Sequence, residues 1–369
     1  MPGMQQMTAD RRVPQCPRAT DVPGICAAWF GARPRVVRPV AITGFSGGRL
    51  AVVDLLDSGE AFVVKAFRHG LRPDRVAWVH GFMRQARAAG VDEVPELAVT
   101  AHGATWAEDP EGVLWEAVRF VEGVAVTVPD TGQVMAAMDL LARLHRAAER
   151  LADSLPATGI SGGVQRRIDQ VLRLRANPWP LLEKSADVPA DAAAAAFVRA
   201  VIARLQQATS LFAAADAPRV LDRIAAFPQR VYALQPVLRD VWSAHVLFAA
   251  PDAARVAGLV DFHAAAVDVP ATDIARLLGS WLPPAGRDRL PVVDRWPEAL
   301  PAYERVRPLP AGSREFVTWL DATGVVCGLD NWFRWVLSDG RLFPAADAVL
   351  ERVDRLLERL PAAIESLSK

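Results

Sequence analysis

The sequence predicts an α+β protein, with a small antiparallel sheet first and a larger, mainly helical part after it. Three observations predict this. Between residues 40 and 67, strand-like apolar runs flank two turn signals, Ser46-Gly47-Gly48 and Asp57-Ser58-Gly59-Glu60. From residue 131 onward, long stretches carry apolar residues at helical spacing. Inside that helical part lies one apolar hairpin. Val246-Leu247-Phe248 and the run from Val256 to Val260 are separated by the turn dipeptide Pro251-Asp252.

Composition bounds the function. A chain of 369 residues can hold two domains. Lys+Arg and Asp+Glu are both 42, so the net charge is zero, which argues against a nucleic-acid or acidic-membrane footprint. A hydrophobic content of 51% is ample for a globular core. The cysteines at 16, 26 and 327 have no metal-site spacing and form no even disulfide framework, so a reducing cytoplasm is expected. Residues 1–18 lack the apolar core of a signal peptide. No apolar stretch reaches the roughly 18 residues of a membrane span, so no integral membrane segment is expected.

Residues 1–35 read as a Pro-rich arm with one short docked element at 26–30. In the strand region, Gly47 and Gly48 would let a backbone approach phosphates closely. The run after the second turn alternates. Val63, Lys65 and Phe67 share one face, and Phe62, Val64 and Ala66 share the other. A lysine on an apolar strand face needs a partner, or else its ammonium snorkels to solvent. Residues 73–90 predict a helix with Val76, Val79, Phe82, Met83, Ala86 and Ala89 on its apolar side. No Glu or Asp lies between Arg75 and Val91. Residues 113–123 read as a strand ending in a glycine turn.

The strongest helix signal spans 131–152, with Val134, Met138, Leu141, Leu144, Ala148 and Leu151 in one stripe. His145 lies on it and reads as structural. Residues 163–226 continue helical, Ala-rich at 191–215 and broken at Pro178 and Pro180. Residues 287–369 are expected to be wholly helical around Trp296, Tyr303, Phe316, Trp319, Trp332, Phe333 and Trp335.

The chemistry concentrates at the hairpin. Asp240 precedes its first strand and Asp261 ends its second, so both carboxylates come to one rim. Two acids at a rim suit a base beside a metal ligand. Asp268 reads either as a substrate contact or as a solvated loop acid. Asp273 either caps the helix that begins there or ties that helix to the loop of Asp240.

The order Lys65, Asp240, His245, Asp261-Phe262-His263, followed by the segment from Val267 to Leu278, resembles the protein-kinase-like phosphotransferases of the aminoglycoside phosphotransferase and choline kinase type. Residues 90–99 and 141–145 are similar to that family as well, and the likeness runs from about Val40 to Trp281. It implies a two-lobed protein-kinase-like fold. After the arm 1–35 would come a nucleotide-binding N-lobe at 36–115 and a hinge at 116–123. A helical C-lobe at 124–369 would carry the catalytic loop and the acceptor site.

By the same resemblance, Gly47 and Gly48 lie over the phosphates, Lys65 meets the α- and β-phosphates, and Val63 covers the adenine. The connector backbone near Glu116 and Val118 bonds the adenine. Asp240 accepts or orients the acceptor hydroxyl, and Arg239 matches the Arg of the kinase HRD motif. Asp261 holds the metal of ATP. His245 stands where a metal-binding Asn is usual. Magnesium prefers oxygen and imidazole suits softer metals. His245 is therefore a poor magnesium ligand, a manganese ligand, or a hydrogen-bond partner of the loop. The helix lacks the Glu that pairs with the strand lysine in this fold, so Lys65 pairs elsewhere or is positioned by phosphate alone.

The loop at 239–247 and the His two residues after Asp261 also resemble the lipopolysaccharide core sugar kinases. The implied activity is ATP-dependent phosphorylation, with magnesium or manganese, of a small-molecule hydroxyl of the sugar or amino-sugar class. The alternatives are a lipopolysaccharide core sugar kinase-like enzyme and a kinase-derived binding or regulatory protein without turnover. Acids lining the acceptor pocket would suit a cationic substrate.

Overall fold

The computed structural model describes residues 22–39, 49–152, 158–184, 186–214, 217–227, 230–343 and 345–368. It contains two units, Met1–Leu71 with Ala98–Ala117, and Arg72–Leu97 with Val118–Lys369.

The first unit is built on a five-stranded sheet. Its strands are β1 (Arg35–Pro39), β2 (Leu50–Leu55), β3 (Ala61–Ala66), β4 (Trp106–Glu108) and β5 (Leu114–Arg119), in spatial order β1-β2-β3-β5-β4. The last two residues of β5 belong to the second unit. The alternation read at 62–66 is real. Val64 and Ala66 are buried with Val53, Leu55, Trp115 and Ala117, while Val63 and Lys65 are half-buried on the other face. The docked element of the arm is helix α1 (Val22–Phe30), which puts Val22, Cys26 and Phe30 into that core. At the β2–β3 turn, Gly59 takes a φ of 71°, and Arg33 grips Asp57 with two bonds of 2.8 Å. The Ser46-Gly47-Gly48 turn lies outside the described residues.

The second unit grows from the two predicted amphipathic helices. In α2 (Pro73–Ala88), Val76, Val79, Phe82, Met83 and Ala86 are buried. In α3 (Thr131–Ala152), the stripe Val134, Met138, Leu141, Leu144 and Ala148 is buried too. The 163–226 region resolves into α4 (Gly162–Ala176), α5 (Trp179–Lys184), α6 (Ala192–Ala213) and α7 (Ala217–Ala225), broken beside Pro178 as expected.

After α8 (Ala271–Leu278) the chain is not wholly helical, which corrects the sequence reading. It forms α9 (Val292–Arg295), α10 (Ala299–Glu304), α11 (Ser313–Leu337) and α12 (Ala346–Ser368). Pro308 and Pro310 lack backbone N–H donors and keep the α10–α11 link open. Gly312 at φ 81° and Gly340 at φ 64° take left-handed conformations in the two links. The helices pack around Trp296, Tyr303 and Phe333, all buried, while Phe316 and Trp319 are partly exposed and stack near Phe227. Among the described residues no helix is long and apolar enough to cross a membrane.

Short strands in this unit position the chemistry. The predicted hairpin is β10 (Val246–Phe248) against β11 (Val256–Leu259), with Val246 opposite Leu259. β6 (Val124–Ala125) adds a third strand beside β10. β9 (Gln235–Val237) pairs with β12 (Ala266–Asp268), and β7 (Thr158–Ile160) pairs with β8 (Val231–Ala233). A Cβ at Gly258 would run into the Val121 side chain, so close packing at β11 requires that glycine.

Candidate active site

β9 ends at Val237 and β10 begins at Val246. The loop between them carries Arg239, Asp240, Trp242 and His245, and it is pinned from below. The Leu238 and Arg239 amides each donate to the Asp273 carboxylate at 2.6 Å. Asp273 is fully buried on α8, and its third donor is His145 Nε2 at 3.1 Å. The hydroxyl of Tyr303 completes the chain by donating to His145 Nδ1 at 2.8 Å. Asp273 therefore ties α8 to the loop and makes no cap bond at the start of its own helix, and His145 is structural. Three donors satisfied by one buried carboxylate form a costly network to break, at about 1–3 kcal/mol for each donor left bare.

These bonds hold a backbone that would otherwise relax. Arg239 sits at φ 65° and Asp261 at φ 64°, and they are the non-glycine residues with positive φ among those described. Such positions cost about 1–3 kcal/mol and cluster at functional sites. The turn at Arg239 leaves Asp240 exposed at the loop tip. There its Oδ1 accepts from Arg276 Nη2 of α8 at 2.6 Å.

The hairpin brings His245 to Asp261. The Val260 amide donates to the His245 carbonyl at 2.9 Å, joining the exit of β11 to the start of β10. His245 Nε2 then lies 3.7 Å from Asp261 Oδ2. The same Nε2 accepts from the Trp242 indole at 2.6 Å, and an indole nitrogen only donates. This is the loop hydrogen bond, one of the three roles expected for His245, and it engages that lone pair.

The segment after Asp261 is fixed to α2. Phe262 is buried edge-on to Phe82 at 5.7 Å. Arg75 at the start of α2 donates to the His263 carbonyl at 3.2 Å and to that of Ala265. The helix that lacks a glutamate thus reaches the Asp261 segment through an arginine and an aromatic pair.

The Asp261 carboxylate offers oxygen, which suits magnesium or manganese. Among the described residues no three His, Cys, Asp or Glu side chains form a cage. The donor set therefore fits a metal that takes most of its ligands from phosphate and water.

The sequence profile of the phosphotransferase enzyme family matches residues 41–309. The chain belongs to that family. It shares its fold with an aminoglycoside phosphotransferase from Alicyclobacillus acidocaldarius at 15% identity and a TM-score of 0.56, over 94% of this chain and 95% of that one. The amicoumacin kinase in complex with AMP-PNP, Ca2+ and Ami is similar at 14% identity and 0.56, over 91% and 92%. A spectinomycin phosphotransferase with ADP and spectinomycin is similar at 11% identity and 0.57, over 89% and 93%. No curated protein matches the chain. The architecture is the protein-kinase-like fold expected from the motifs, with a small antiparallel sheet and a mainly helical remainder.

In this family member the remaining candidates fall as follows. Val63 and Lys65 are on β3 of the first unit. Glu116 is buried on β5 opposite Trp106, and Val118 bridges Leu97. Gly47 and Gly48 lie outside the described residues. A groove of about 350 Å3 lined by Glu93, Asp139, Arg143 and Arg255 holds none of the candidate residues. Asp268 is not a solvated loop acid. It is buried, accepting from Ser161 Oγ at 2.6 Å and from Arg166 at 3.4 Å, partners more than a hundred residues away that no local pattern reveals.

Sequence reasoning also missed Arg276. The signal was an arginine three residues after Asp273, one turn along the helix that faces the loop.

Burial holds His145 below its ordinary pKa of 6.5, against the pull of Asp273. The folded state refuses a proton that the unfolded chain accepts near that value. This contribution is therefore complete above the ordinary value and is lost as the pH falls below it. The thermal midpoint is expected to decline between about pH 7 and pH 5, and to decline less steeply in His145→Gln. Equal slopes in the two proteins would remove His145 as the source.

Proposed function

We propose that the chain transfers the γ-phosphoryl group of ATP to a hydroxyl of a small molecule, a sugar or amino-sugar in the first instance. The observation that carries this reading is the rim built by one hairpin. A pinned loop presents Asp240, and the strand exit presents Asp261 beside His245, in a chain of the phosphotransferase family.

In this reading Asp240 receives the acceptor hydroxyl, orients it and takes its proton. The acceptor oxygen bonds to the γ-phosphorus as the bond to ADP breaks. Arg239 shapes the loop through its left-handed backbone. Asp261 holds magnesium or manganese, with His245 positioned by Trp242 at its side. The metal, when bound, neutralises phosphate charge. Lys65 contacts the phosphates, Val63 the adenine, and the backbone at Glu116 and Val118 the adenine edge. Gly47 and Gly48 are assigned to the phosphates. Residues 36–115 are assigned to nucleotide binding, 116–123 to the connector, and 124–369 to catalysis and the acceptor. A reducing cytoplasm suits the buried free thiols of Cys26 and Cys327.

One observation favours a second reading, a binding protein without turnover. Arg276 occupies the carboxylate of Asp240. Nucleotide binding and turnover separate the two. AMP-PNP with magnesium or manganese is expected to raise the thermal midpoint, and Lys65→Met to reduce that rise. ATP consumption with a sugar acceptor then favours the enzyme, whereas binding without consumption over sugars, aminoglycosides and amino alcohols favours the second reading. Absence of any nucleotide-dependent shift would defeat both.

A further inference from the structure

The charge around Asp240 has predominantly one sign. Arg276 bonds it directly at 2.6 Å. Arg352 of α12 sets its guanidinium 5.5 Å from the ring of Trp242, two residues along the same loop. Arg239 adjoins Asp240 in sequence. Arg166 of α4 lies within electrostatic reach of Arg239, and Arg167 within reach of both Arg166 and Arg276.

Against these five guanidinium groups stand two carboxylates that they bond, Asp240 with Arg276 and Asp268 with Arg166. Asp268 is buried, and its Oδ1 is already engaged by Ser161 and the Val269 amide. Arg167, Arg239 and Arg352 bond no carboxylate among the described residues. Burial, followed by repulsion from Arg276, Arg359 and Arg355, brings the Arg352 pKa down to about 10 against the pull of Asp240. A cation pressed among cations gains from an incoming anion.

This surplus does not suit a cationic amino-sugar, whose ammonium groups would meet like charge. It suits an anion, because a guanidinium fork matches phosphate or carboxylate with two parallel bonds. The Arg276–Asp240 pair has side chains 44% and 51% exposed, so it is cheap to exchange.

We propose that the acceptor already carries a phosphate or carboxylate group, which Arg276 and Arg352 hold beside the hydroxyl that Asp240 receives. Arg276 leaves Asp240 for the substrate's anion, and that exchange frees the carboxylate for the hydroxyl. Only an anionic acceptor then unmasks the acid. This inference rests on the reading of Asp240 as the acceptor-binding acid.

The test compares one hexose ring in four forms: neutral, 6-phosphate, uronic acid and 2-amino. The anionic members are expected to have kcat/KM at least about tenfold above the neutral one, the scale of one charged hydrogen bond. Added salt lowers that advantage, and Arg352→Met collapses the ratio. The phosphate and uronate arms tell which anion is meant. Turnover of the neutral or amino member as well as the anionic ones overturns the inference and leaves the phosphotransferase reading intact.

A second measurement does not need the right ring. Inorganic phosphate, added to protein saturated with metal and AMP-PNP, is expected to raise the thermal midpoint of the wild type but not of Arg276→Met/Arg352→Met. Equal shifts in both proteins overturn the inference. Failure to bind nucleotide at any metal concentration overturns the phosphotransferase reading itself.

Discussion

Asp240→Asn is expected to lower kcat by about 10²–10⁴-fold, the range for loss of a positioned proton acceptor. The substitution isolates that role because the loop does not depend on the side chain. Its shape is held by two amide bonds to Asp273, from the successive N–H groups of Leu238 and Arg239. The left-handed backbone at Arg239 is thereby fixed whatever stands next to it. Asn keeps the size of Asp, so the acceptor meets the same surface. Asn cannot take a proton, and it holds Arg276 without charge.

Folding stability should change by about 1 kcal/mol or less, because the lost ion pair is solvent-exposed. The KM for ATP should stay near the wild-type value, since nothing assigned to the nucleotide contacts Asp240. Steady-state kinetics with the best acceptor and a denaturant titration make the comparison. If kcat stays within about tenfold of wild type, below the loss expected for a proton acceptor, Asp240 does not receive the hydroxyl.

The same loop shows how far a sequence can be read. Local patterns carried the fold. The alternation at 62–66 put Val64 and Ala66 in the sheet core, and the helical stripes were buried from Val76 to Ala86 in α2, though not at Ala89, and from Val134 to Ala148 in α3. The hairpin at 246–259 follows from two apolar runs and one turn dipeptide. It is what makes Asp240 and Asp261 legible as a pair, because strand ends three to four residues long leave little freedom for their flanks.

What escaped is long-range and polar. Arg276 meets Asp240 across 36 residues, and Ser161 meets Asp268 across 107. A guanidinium reaches far along its stem, so its partner is set by tertiary packing rather than by spacing. The sequence therefore did not show which charges face the acceptor, and the described loop has Arg276 and Arg352 beside it. The helical reading of 287–369 failed for a different reason. Aromatic density signals burial without saying where the backbone bends, and the bends lie at Pro308, Pro310, Gly312 and Gly340.

Asp261→Asn is expected to weaken metal-dependent nucleotide binding by at least about 100-fold, the upper end of what loss of a mere supporting contact costs a metal site. Asn is the informative replacement. The residue sits at φ 64°, where Asp and Asn are tolerated and other side chains are strained. Asp261→Ala would add that strain to the loss of the ligand, so a weakened alanine variant could reflect a displaced segment.

The asparagine variant keeps the turn, the Phe262–Phe82 contact and the Arg75 bonds, all of which use neighbours rather than the carboxylate. Only the negative oxygen is removed. AMP-PNP titrated with magnesium or manganese should then bind the variant no better than AMP-PNP with chelator, while the wild type separates the two conditions clearly. Titration by calorimetry gives the readout directly. A variant that discriminates metal-loaded from metal-free nucleotide as the wild type does would place the metal elsewhere, and the proximity of His245 to Asp261 would then be structural alone.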